Sequence, residues 1–171
     1  MLQKLIERFV GHRHFWRNVG LNELSEIYAN QLLRSLALNI IGIFVPIYLY
    51  KLGFSIQDIL LQFFAVLFAT HLVFDVISAH IVARYGPKHS LALSAVIQVA
   101  YLCLLVTTQD LRWPIWVLAI VAAIANSLFF LSLHTDFSKI KHADHVGKEL
   151  GFLWSFDRLG AALGPLVGGL L

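Results

Sequence analysis

Five apolar runs, each about as long as a bilayer is thick, leave this chain few folds to choose from. They cover about 27–50, 56–83, 91–108, 113–134 and 151–171. A hydrocarbon core of ~30 Å asks for roughly 20 apolar residues per helical crossing, and each run is of that order. Lipid offers no partner to an open backbone N–H or C=O, so the runs are expected to be helices. Turn residues fall between them: Lys51-Leu52-Gly53 closes the first and Arg84-Tyr85-Gly86-Pro87-Lys88 closes the second, while Trp113-Pro114 opens the fourth. The longest connection, about 135–150, is read as a loop. The expected fold class is all-α, a polytopic membrane protein with five transmembrane helices.

Composition agrees. Of 171 residues, 58% are hydrophobic and only 13% charged. A soluble domain carries about a quarter charged residues, and a nucleic-acid-binding arm or disordered tail carries more. No nucleic-acid partner is expected; the bilayer is. The single cysteine, Cys103, lies within the third run and excludes both a disulfide framework and a multi-cysteine zinc site.

The net charge of +3 matters through its distribution. With the N-terminus on the cytoplasmic side, the inner segments hold Lys4, Arg8, Arg13, Arg17, Arg84, Lys88, Lys139, Lys141 and Lys148. The outer loops hold Lys51 and Arg112, and Arg34 and Arg158 lie within runs. That asymmetry predicts a multi-pass protein of the cell membrane with a cytoplasmic N-terminus. Ahead of the 21–171 membrane domain, residues 1–20 place Leu2, Leu5, Ile6, Phe9 and Val10 at helical spacing among basic residues. This segment reads as an amphipathic helix on the membrane surface. It lacks the continuous apolar stretch of a cleavable signal peptide.

Polar residues inside the runs are the candidate pathway: Asn30, Gln31, Arg34, Asn39, His71, Asp75, Asn126 and Asp157. Intramembrane charge is expensive and needs a partner or a cavity. Counted from the inner ends of their runs, Arg34 and Asp75 lie ~10–12 Å deep and Asp157 ~9 Å deep. Opposite charges in one layer suggest a gate or relay near the cytoplasmic side, with Arg34 and Asp75 as a coupled pair. The alternative is a set of satisfied pairs and snorkelling side chains. His71 lies four residues before Asp75, on the same helical face. The clusters His12 with His14, His134 with Asp136, and His142 with Asp144 and His145 lack an HExxH arrangement or a cysteine partner, so no metal site is expected. No phosphate-binding loop or nucleophile–base motif is present, so neither an enzyme nor a cofactor is expected.

The most specific pattern is in the fifth run. Gly151, Gly160, Gly164, Pro165, Gly168 and Gly169 spell G-x8-G-x3-GP-x2-GG. Gly160, Gly164 and Gly168 stack on one face, where a second helix can approach closely. Pro165 removes a ladder hydrogen bond and is expected to bend the helix. This pattern resembles the fifth-helix motif of the major facilitator superfamily. The turn after the second run resembles the superfamily's cytoplasmic loop signature, G-x3-D-R-x-G-R-K. Arg84, Gly86 and Lys88 match it, while Ala79, Ala83 and Pro87 stand at three other positions. The fourth run lacks the arginine that the superfamily often ties to proton coupling, so proton-driven antiport is not implied.

The resemblance implies a secondary active transporter of a small-molecule substrate, working by alternating access between two helical halves. Twelve spans need on the order of 240 membrane residues, so this chain is expected to be an N-terminal portion whose partner, a C-terminal half, is missing. The glycine stripe would then serve the seam between halves and stay uncovered by the other four helices. The alternative is a membrane-embedded scaffold or interaction subunit without transport activity.

Overall fold

The structure is a computed structural model that describes residues 23–142 and 144–170. The surface helix expected over 1–20 lies outside the described residues. In chain order the elements are α1 (Glu23–Gly42), α2 (Val45–Lys51), α3 (Ile56–Asp58), a π-helical segment (Ile59–Ala65), α4 (Val66–Tyr85), α5 (Pro87–Leu111), α6 (Ile115–Ile140) and α7 (Val146–Leu170). No strand occurs among the described residues.

Local chemistry explains the breaks. Glu23 and Glu26 occupy the first turn of α1, where carboxylates favour the positive end of the helix dipole. Pro46 has no N–H to donate to Gly42, so the first apolar run cannot pass it as one regular helix. The chain tightens at Ile43–Phe44, where Phe44 N donates to Ile41 O at 2.9 Å, and α2 restarts with Pro46 in its first turn. Gly53 turns the chain with φ +96°. Ser55 and Asp58 then form a reciprocal capping box that starts the second long helix. That helix widens into the π segment, whose Ile59 and Phe63 are buried.

Two connections are shorter than their sequences suggested. Of the turn 84–88, only Gly86 leaves the helical conformation; it takes φ +84°, and Pro87 immediately begins α5. The loop expected over 135–150 is mostly helix. Phe129, Leu133 and Phe137 repeat every four residues as one buried face of α6, so packing carries the helix on to Ile140 after the apolar run has ended. Only residues 141–145 separate α6 from α7.

Four helical stretches are long and apolar enough to cross a membrane: Glu23–Lys51, Ile56–Tyr85, Pro87–Leu111 and Ile115–Ile140. The fifth, α7, has the length, but Asp157, Arg158 and its glycines make it less apolar. α6 is the centre of the bundle, with α4 and α5 against it, and α1 packs chiefly along α7. Small buried residues on α6, Ala119, Ala122, Ala123 and Ala125, let its neighbours approach. Two apolar cores result. One gathers Leu49, Phe63, Leu105 and Leu118 toward the end holding Lys51 and Arg112. The other gathers Ile27, Phe129, Phe137 and Leu153 toward the end holding Glu23 and Lys88.

Candidate functional site

Between the two apolar cores lies a polar layer. Arg34, Gln98, Asn126 and Asp157 each stand eleven residues beyond the first residue of their helices, Glu23, Pro87, Ile115 and Val146. At about 1.5 Å per residue that is roughly 16 Å, near half the hydrocarbon thickness. The sequence placed Arg34 and Asp157 shallower. Helices α1 and α7 begin four and five residues before the apolar runs do, and the layer moves from one end of the bundle to its middle.

Arg34 joins three helices. Its Nη2 donates to Asn126 Oδ1 on α6 at 2.8 Å and to Gln98 Oε1 on α5 at 3.3 Å. The guanidinium carbon stands 3.8 Å from the centre of the Phe129 ring, a cation–π geometry. The partners are two neutral amides and an aromatic face. Asp75 is not among them, which corrects the expected Arg34–Asp75 pair. Arg34 turns from α1 toward α5 and α6, while Asp75 on α4 is 58% exposed in its side chain. The nearest partner of Asp75 is His71, 3.8 Å away one turn earlier. His71 Nδ1 also shares a 2.8 Å hydrogen bond with Ser127 Oγ, which ties α4 to α6 beside Asn126.

A second part of the layer faces α7. Gln31 Nε2 donates to Asp157 Oδ1 at 2.8 Å, and Ser35 Oγ donates to the Asp157 backbone O at 2.7 Å. Asn39 Nδ2 donates to Ser35 O at 2.7 Å, within its own helix. Gln31 is 3% exposed, and its Oε1 has no hydrogen-bond partner among the described residues. Asn30 sits apart from the layer. It lines a small cavity of about 130 Å³ with Glu23, Glu26, Lys88 and Asp136.

The glycine stripe is covered from within the chain, contrary to expectation. Ideal Cβ atoms on Gly160 and Gly164 would lie 2.8 Å from Ser35 Cβ and 2.6 Å from Asn39 Cβ. One on Gly168 would collide with Ile40 O. The stripe is the seat of α1, and the close approach it permits brings Gln31 and Ser35 to Asp157. A Cβ added at Gly151 or Gly169 would meet nothing within 4 Å among the described residues, and Pro165 lies inside α7 beside the stripe. In the loop signature, Arg84 is exposed with its guanidinium 5.6 Å from the Tyr85 ring centre, Gly86 makes the turn, and Lys88 Nζ pairs with Glu23 at 2.8 Å.

Several of these partners escaped the sequence reading. Gln98 is the strongest polar group in an otherwise apolar third run, and Ser90, Ser94 and Gln98 repeat every four residues, a signal that was present. Glu149 gave none. Its carboxylate is buried and accepts from His142 N at 3.0 Å and His142 Nδ1 at 2.6 Å, while its backbone O accepts from Tyr28 Oη at 3.1 Å. No group of three or more His, Cys, Asp or Glu among the described residues is placed to hold a metal.

The bundle order and the α7 motif point to one family, and comparison decides it. A family model for the Major Facilitator Superfamily matches residues 27–171. The chain belongs to the Major Facilitator Superfamily. No curated protein and no solved structure matches it. This facilitator is therefore a multi-pass membrane protein of a transporter family. Its matched region includes every helix that contributes to the polar layer. The match gives the scaffold alternative no support.

Proposed function

We propose that this facilitator is a secondary transporter that carries a small solute by alternating access, with the mid-helix polar layer as part of its pathway. The observation that carries the reading is the layer itself. Side chains from α1, α4, α5, α6 and α7 meet near half the depth of a bilayer, where polar groups are costly and are kept for a use. Arg34, Gln98 and Asn126 form one wall of the pathway, and His71 with Ser127 extends it toward α4. Gln31, Ser35 and Asp157 hold α1 on α7, so these two helices move as one body. The exposed Asp75 favours a further set of helices against α4, because a bare mid-span carboxylate is poorly tolerated by lipid. In this reading α7 is a fifth crossing and the N-terminus is cytoplasmic, as the Lys and Arg distribution favours.

Reconstitution of the full-length protein into proteoliposomes tests the proposal. Counterflow uptake of at least one solute from a panel of sugars, amines and organic acids is expected. It should fall when Asn126→Leu removes one anchor of Arg34. Absence of uptake for every solute, from protein that is monodisperse and folded, would overturn it.

A further inference from the structure

Arg34 carries more donors than its surroundings use. A guanidinium has five N–H groups and stays charged at any physiological pH. Both hydrogens on Nη2 are taken by Gln98 and Asn126. Nε–H and the two hydrogens of Nη1 donate to nothing among the described residues. No carboxylate among the described residues lies within 4.0 Å of it. The two mid-helix carboxylates are engaged elsewhere: Asp157 takes its hydrogen bond from Gln31, and Asp75 stands beside His71. Glu26 is eight residues away on the same helix, about 12 Å. Two amides and the Phe129 ring orient the charge without neutralising it. An uncompensated cation midway through a membrane helix is costly, and the arrangement keeps it in place.

We infer that Arg34 is the contact for an anionic oxygen group on the carried solute, so that the substrate class is small organic anions bearing a carboxylate or a phosphate. This rests on the transport reading above and specifies its substrate. The free Nη1 and Nε donors supply the directed hydrogen bonds that such oxygens accept, and the anion supplies the missing charge. Gln98 and Asn126 act as positioning residues that fix the plane of the fork.

The test uses the full-length protein in proteoliposomes. The probes are lactate, succinate and glycerol 3-phosphate, against glycerol, glucose and choline. Uptake of at least one anion is expected, competed by others of its own headgroup; the carboxylate and phosphate arms separate the two sources. Asn126→Asp places a carboxylate on Arg34 and keeps it paired, so the bundle should stay folded while anion uptake drops at least about tenfold. Arg34→Gln should lower it as much, and Arg34→Lys should fall between, since a point charge lacks the fork. Thermal stabilisation by the same probes gives a second readout. Anion binding without carriage would keep this inference and remove transport. Carriage of only glycerol, glucose or choline would remove this inference and keep transport. Failure of every anion to be carried or to stabilise the protein would overturn the inference.

Discussion

Gly164 of α7 lies against Asn39 of α1: a methyl group there would sit 2.6 Å from the Asn39 Cβ. That distance is too short for any side chain, so α1 and α7 keep their separation only while position 164 is bare. Gly164→Ala should therefore force the helices apart. Overpacking of this kind costs about 1–3 kcal/mol, and Gly164→Leu should prevent a stable bundle. Leu166→Ala, at a position 65% exposed, should be mild by comparison. Thermal unfolding in detergent measures the ranking, and equal losses at 164 and 166 would contradict it.

Arg34 and Asn126 should be energetically coupled, whereas Arg34 and Asp75 should not. Hydrogen bonds to a charged group are worth about 1.5–3 kcal/mol. A double-mutant cycle on Arg34→Leu and Asn126→Leu should show a coupling of roughly 0.5–3 kcal/mol. The cycle on Arg34→Leu and Asp75→Leu should be additive within about 0.5 kcal/mol. The reverse pattern would mean that the arginine reaches α4.

Glu149 closes the short link between α6 and α7. Glu149→Ala strips two acceptor contacts from His142 and should lower stability by about 1–3 kcal/mol. Tyr28→Phe, which removes one hydrogen bond to the Glu149 backbone, should cost about 0.5–1.5 kcal/mol. Unfolding of both variants in the same detergent checks the order. A larger loss for Tyr28→Phe would assign the link to α1 rather than to His142.

The basic-residue distribution predicts sidedness. Reporter fusions at Lys51, Lys88, Asp110 and Asp144 should read outside, inside, outside, inside. Two neighbouring sites on the same side would remove a crossing from the map.

Helix existence was legible along the chain because lipid leaves a backbone no alternative, and run length then marks the stretches long enough to cross. Helix ends were less legible. Apolarity marks where lipid stops, but a helix stops where its last packed turn stops, and Phe137 carries α6 beyond its apolar run. The turn at Gly86 was local enough to read, whereas the break before Pro46 and the cap at Ser55 went unread although both signals are local. The polar residues of the layer were likewise visible as isolated breaks in apolar runs, and the missed Gln98 obeyed the same signal.

Their pairing was a different matter. Depth and charge sign suggested Arg34 with Asp75, yet partner choice depends on which helices are neighbours and how each is rotated, and neither quantity is encoded within a single helix. The same holds for the glycine stripe. Its spacing determined that something would pack there, and the fold decided that the partner is α1 of this same chain. By itself, the sequence determined an all-helical membrane bundle and most of the polar residues that would need partners within it. Only the tertiary structure decided that Arg34 faces two amides and a ring, because burial beside α5 and α6 turns it away from every carboxylate in the layer.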